Sequence, residues 1–152
     1  MAHFAELDKD NKVIRVVVAC NIDIANNGGE LSEQAAKHFE SVCPLSEDGV
    51  KWIQTSYNSN FRKQPASPGF SYDPVKDVFI SIKPYSSWIL NQNNNWEAPI
   101  PYPNITTYGD NFQYRFIRWN ESNMCWIGYD HEEPANTFKW LPESKSWVTI
   151  IV

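Results

Sequence analysis

The densest group of side chains able to hold a metal is Asp130-His131-Glu132-Glu133, followed by Pro134. A metal ion needs ligands that converge from several directions, and four neighbours in sequence cannot all point at one ion. No second cluster supplies the missing partners, and His3 and His38 lie far along the chain. The stretch reads as a solvated acidic turn, and no metal is expected. Nucleophilic catalysis needs a Ser or Cys beside a His and an orienting acid. The ingredients occur, but none sits in a Gly-x-Ser-x-Gly turn, and Gly28-Gly29 lacks the Lys and the strand–loop–helix context of a phosphate loop. No catalytic residue and no cofactor is assigned, and the expected role is non-enzymatic.

The chemistry present in surplus is aromatic, with seven Trp, seven Tyr and eight Phe. Aromatic faces beside Asn and Gln grip sugar rings by stacking and hydrogen bonding. The same side chains anchor protein interfaces and build the cores of small β domains. Core and hairpin pairing are expected to take most of the tryptophans. If one or two face outward, Trp88 and Trp96, in a Pro- and Asn-rich stretch, are the candidates. With Tyr102 they make a candidate stacking platform, and Trp119 and Trp126 complete the set of candidate interface or glycan-binding residues.

These aromatics recur in one pattern. Trp140 to Trp147, Trp119 to Trp126 and Tyr72 to Phe79 each place two aromatics around a polar turn, and Trp88 to Trp96 is a version one residue longer. Short aromatic arms around Asn, Asp, Pro and Ser predict β-hairpins whose bracketing rings face each other across the strands. The uneven intervals between copies exclude a solenoid. Ala2–Leu7 and Lys12–Cys20 predict another hairpin around Asp8-Lys9-Asp10-Asn11. Its second arm, apolar on both faces apart from Arg15, reads as a central strand. Ile22–Glu30 reads as a loop. Leu31–Cys43 is the single expected helix, with Leu31, Ala35, Ala36, Phe39 and Val42 on its apolar side, Ser32 capping its start and Pro44 ending it.

Val50–Thr55 is the next expected strand, and Ser56–Lys63 an irregular loop. From Lys83 to Asn111 prolines at positions 84, 99, 101 and 103 favour extended surface backbone over a central strand, and the interleaved Tyr85, Trp88, Trp96 and Tyr102 suggest that it packs on something. Phe112–Trp119 alternates as one strand, with Phe112, Tyr114 and Phe116 on one face, and Met124–Tyr129 returns beside it. Trp147–Val152 closes the chain, either buried or as an edge suited to pairing with another chain. The expected fold is α+β and mainly β, with antiparallel hairpins, aromatic-bracketed turns and one amphipathic helix. Its regions are residues 1–83, 84–111 and 112–152, packed as one unit.

A chain of 152 residues is long enough to bury a core, and 42% hydrophobic residues argue against disorder. A formal net charge of −5 with scattered basic residues argues against a nucleic-acid surface. No apolar run spans a bilayer, so no membrane is expected, and the N-terminus lacks the pattern of a signal peptide. Cys20, Cys43 and Cys125 form no Cys-x-x-Cys pair, and reduced, buried thiols from cytosolic synthesis are the favoured reading, with a disulfide left open.

Three blocks of this sequence match a pattern in order. The first is Met1-Ala2-His3-Phe4-Ala5-Glu6-Leu7-Asp8 with Asn11-Lys12-Val13. The second is Trp52-Ile53-Gln54-Thr55-Ser56-Tyr57-Asn58, Phe61-Arg62-Lys63 and Gly69-Phe70-Ser71-Tyr72-Asp73. The third is Lys83-Pro84-Tyr85-Ser86-Ser87-Trp88 with Trp96-Glu97-Ala98-Pro99-Ile100-Pro101-Tyr102-Pro103. Together they resemble a family of small proteins encoded by marine tailed bacteriophages, notably cyanophages. Members of that family end soon after the third block with one Tyr/Trp hairpin, whereas this chain first continues through Phe112–Tyr129. The resemblance implies a phage origin and a virion component, made in the host cytoplasm, and it supplies no catalytic residues. The expected partners are other virion proteins, or a second copy of the chain in a homo-oligomer. A host-surface glycan recognised by the exposed Trp and Tyr side chains is the alternative.

Overall fold

Ala2–Leu7 (β1) is the middle of a three-stranded antiparallel sheet, between Val13–Ala19 (β2) and Lys51–Thr55 (β3). The computed structural model describes residues 1–150, and the chain forms two compact units, Met1–Ile82 and Lys83–Val152. In the first unit two helices follow β2, Asn21–Asn26 (α1) and Glu33–Val42 (α2). The hairpin Ser71–Asp73 (β4) and Val78–Ile80 (β5) follows β3. The architecture is mainly β, with several antiparallel sheets and two helices.

The central position belongs to β1, and β2 is an outer strand. The reason β2 is apolar on both faces is that the sheet is covered on both. On one side Phe4, Val17, Ala19 and Trp52 pack with Ala35 and Phe39 of α2 and Ile24 of α1. On the other, Ala5, Leu7, Val13 and Val16 pack with Ala66, Phe70, Tyr72 and Phe79. Successive residues of β1 thus serve opposite cores, as the strand period requires. The start of β2 also gains backbone bonds outside the sheet, Val13 N–H to Phe70 O and Gly69 N–H to Val13 O, both 2.8 Å. Gly69 sits at φ +86, where a side chain is disfavoured.

Helix α2 starts where Ser32 caps it, its Oγ accepting from Ala35 N–H at 3.0 Å. Ala35 and Phe39 are buried, but Leu31 and Val42 are exposed, unlike the expectation. Leu31 precedes the cap at φ 64, so it lies outside the helical face altogether. The expected loop over Ile22–Glu30 begins with α1, a six-residue helix that buries Ile24. Too short to show a period, it owes its place to that one packing residue.

The second unit begins with two small hairpins, Ile89–Leu90 (β6) with Trp96–Glu97 (β7) and Thr107–Tyr108 (β8) with Phe112–Gln113 (β9). A four-stranded meander follows, Phe116–Asn120 (β10), Cys125–Tyr129 (β11), Thr137–Leu141 (β12) and Ser146–Thr149 (β13). The expected continuous strand over Phe112–Trp119 is broken at Tyr114-Arg115. Phe112 turns back on Tyr108, and Tyr114 N–H bonds Thr106 O while Arg115 N–H bonds Tyr129 O. The Tyr114 ring then lies against Gly128, where an added Cβ would stand 3.0 Å from it.

Three aromatic-bracketed turns form as hairpins with the bracketing rings as direct partners: Tyr72 with Phe79, Trp119 with Trp126 and Trp140 with Trp147. Their centroids are 5.4, 5.3 and 5.2 Å apart. Each such ring pair adds about 0.5–1.5 kcal/mol beyond area burial. The sixth residue of each octet is left-handed, Asp77 at φ 53, Met124 at φ 50 and Lys145 at φ 51. Trp88 to Trp96 departs from the pattern, because Trp96 pairs with Leu90 and Trp88 lies ahead of β6. The turn there is set by Asn91, whose Oδ1 accepts from Asn93 and Asn95 N–H groups. Of the closing segment Trp147–Val152, residues 151 and 152 lie outside the described residues; Val148 and Ile150 are exposed.

Candidate functional site

The Pro-rich segment of the second unit does not run free over the surface. Ala98 and Ile100, with Trp88, pack against the buried cluster Trp119, Trp126 and Trp140. Two polar fastenings hold it. Trp126 Nε1–H donates to Ile100 O at 2.9 Å. Glu121, at the start of the β10–β11 turn, accepts from Ser86 Oγ (2.6 Å), Ser87 N–H (2.8 Å), Ser87 Oγ (2.7 Å) and Trp119 Nε1–H (2.7 Å). Those bonds, Ser86 first, then Ser87 and Trp119, pull the Glu121 carboxyl down to about 2.

The fastened segment and the sheet enclose a cleft of about 620 Å³, within the range of small-ligand sites. Trp88, Trp96, Tyr102 and Trp126 line it, together with Ile89, Glu97 and the Ala98–Pro101 run. Four of the five aromatics singled out from sequence are thus brought together. Tyr102 is 56% exposed and Trp126, at 7%, is the floor. Trp119, 5% exposed, stands behind the floor and touches Trp126 edge to face. It supports the cleft without lining it. Trp88 and Trp96 are half-buried.

Ring orientation decides what the cleft can hold. Tyr102 meets Trp126 at 75° with centroids 4.9 Å apart, and Trp88 meets it at 61° and 6.1 Å. The rings are walls around a floor rather than one flat platform. Polar groups are few. Pro99 and Pro101 have no backbone N–H, Ile100 O is taken by Trp126, and Trp88 Nε1 is buried with no partner among the described residues. The one charged side chain in the lining is Glu97, exposed, whose Oε1 accepts from Asn91 Nδ2 at 2.5 Å. Lys83 Nζ stands 5.5 Å from the Trp96 centroid, so one of these rings already faces a cation.

The other chemistry-bearing groups have structural partners. Asp130 accepts from Glu132 N–H, Asn136 N–H and Asn136 Nδ2; burial pushes its carboxyl up, and these bonds outweigh that and leave it lowered. It orders the turn while His131, Glu132 and Glu133 are exposed. In the first unit Glu6 is fully buried, bound by Ser46 N–H, Ser46 Oγ and Arg15 Nε. Burial raises its carboxyl, but the Ser46 and Arg15 bonds prevail and it lies below its ordinary value. A sequence reading misses Glu6, because a Glu in an alternating strand looks solvent-facing. The three thiols are free, and against the expectation of burial Cys20 is exposed and Cys43 half-buried; only Cys125 is buried, which pushes its thiol up. No family model, curated protein or solved structure matches this chain.

Proposed function

We propose that this protein is a non-enzymatic component of a bacteriophage particle, docking on the head as a decoration or on the tail or neck as an accessory, and made in the host cytoplasm. The phage half of this reading rests on the three sequence blocks running from Met1 to Pro103. The docking half is carried by one observation, the outer strand β13. It has β12 as its single strand neighbour among the described residues, and Val148 and Ile150 are exposed. An outer strand with unpaired main-chain groups and β-branched side chains accepts a further strand from another chain. The partners are accordingly other virion proteins or a second copy of this chain.

The test is mass spectrometry and immunogold labelling of purified virions. Dense labelling of heads or tails supports the proposal and places the protein. Its absence from virions, with the protein present in infected cells, overturns it. Val148→Lys should lower the amount incorporated while leaving the soluble protein folded, since the side chain is exposed.

A further inference from the structure

We infer that the cleft lined by Trp88, Trp96, Tyr102 and Trp126 is a cation site for a methylated ammonium group. Three features of the lining favour that ligand over a sugar. The rings stand at steep angles to one another, 75° and 61° to the Trp126 floor, so a compact ligand can lie over the face of one ring while the others wall it in. A sugar ring needs one broad open face, and its hydroxyls need several donors and acceptors. The Pro99-Ile100-Pro101 run offers no proline N–H, and its Ile100 carbonyl is already bonded to Trp126. A methylated ammonium has no such demand, since its charge lies under an apolar skin that aromatic rings attract through their quadrupoles.

The second feature is charge. Glu97 is the one ionisable carboxylate or cation in the lining, at an exposed position, and it is negative. The chain as a whole carries −5. Lys83 Nζ already stands over Trp96, so a cationic ligand is drawn instead to Glu97 and the Trp88, Tyr102 and Trp126 rings, with a salt-dependent component. The third is volume. About 620 Å³ admits an ammonium head together with the chain that carries it. The head comes either from a small choline-like molecule or from a trimethylated lysine on a protein. The contacts that select it are the same in both cases, and they hold whether or not the protein rides on a particle.

The test follows tryptophan fluorescence of the full chain during titration with four probes: choline, a trimethyllysine peptide, glucose, and 3,3-dimethylbutanol, the uncharged isostere of choline. Saturable binding of choline or of the peptide is expected, with the neutral isostere about tenfold weaker. Whichever of choline and the peptide binds more tightly identifies the source. Glu97→Gln keeps the oxygen that accepts from Asn91 but removes the nearest negative charge, and should weaken choline several-fold and reduce the salt dependence. Tyr102→Ala, at an exposed position, should weaken binding without loss of fold, checked by near-ultraviolet circular dichroism. Equal binding of choline and its isostere, saturation by glucose alone, or no saturable binding by any probe overturns the inference.

Discussion

The two units of this chain solve one problem with different materials. The first has a sheet long enough to carry two cores, and it fills them chiefly with aliphatic side chains, Phe and a helix laid across one face. Among its described residues the second contains no helix and no strand longer than five residues. It fills its core with Trp119, Trp126 and Trp140. A short strand contributes two or three inward positions, so each must carry a large side chain if the unit is to exclude water. Tryptophan does this, and its indole N–H then needs a partner. Trp126, Trp119 and Trp147 find theirs at Ile100 O, Glu121 and Ile105 O. In the first unit a fully buried carboxylate, Glu6, is held by Ser46 and Arg15, and a single tryptophan, Trp52, donates its indole N–H to Cys43 O. In the second, indoles fasten irregular segments to a sheet, and the cleft is a by-product of that fastening.

The comparison breaks most sharply at its largest ring. Trp126→Ala removes the cleft floor, a partner of three other aromatics and the bond to Ile100. It should destabilise the second unit by about 3–5 kcal/mol, read by urea denaturation and by loss of hydrogen-exchange protection in β10–β13. Gly49→Ala tests the carboxylate of the first unit. An added Cβ would stand 1.9 Å from Glu6 Oε1, and Glu6 is too deeply buried to swing away. A loss of about 1–3 kcal/mol is expected from thermal or urea unfolding, and an unchanged midpoint would mean that Glu6 is not packed as described.

Glu121 ties the second unit to pH, as Glu6, also below its ordinary value, ties the first. The folded value of Glu121, about 2, lies below the ordinary 4.5, so its contribution is complete above pH 4.5 and disappears as the pH falls through the folded value. The second unit should therefore lose stability between pH 4.5 and 2, and Glu121→Gln should flatten that part of the profile. The smallest effects lie in the turns. Met124→Gly and Lys145→Gly relieve left-handed backbone and should shift stability by about 0.5 kcal/mol towards the folded state. Asp77→Gly has the same φ but should destabilise, because Asp77 Oδ1 accepts from Arg62 Nε and Tyr72 OH. Urea midpoints of the three variants decide between backbone relief and side-chain loss.

What was legible in the sequence was local. The three aromatic octets, the Ser32 cap and the Asp8–Asn11 turn follow from turn residues, capping chemistry and a period of two. Each is settled by neighbours within about ten positions along the chain. The candidate ring set was legible as a set, because aromatics beside prolines and asparagines stand out by type.

The tertiary structure decided what depends on distant partners. It made β1 the central strand rather than β2, because β3, far along the chain, pairs with the second edge of β1. It broke Phe112–Trp119, because Tyr114 finds its place against Gly128. It moved Trp88 out of register with Trp96, because Asn91 sets the turn and Trp126 offers Trp88 a ring to pack on. Trp119 became support and Trp126 floor through the same contacts. Composition chose the rings, and long-range packing chose which of their faces a ligand can reach.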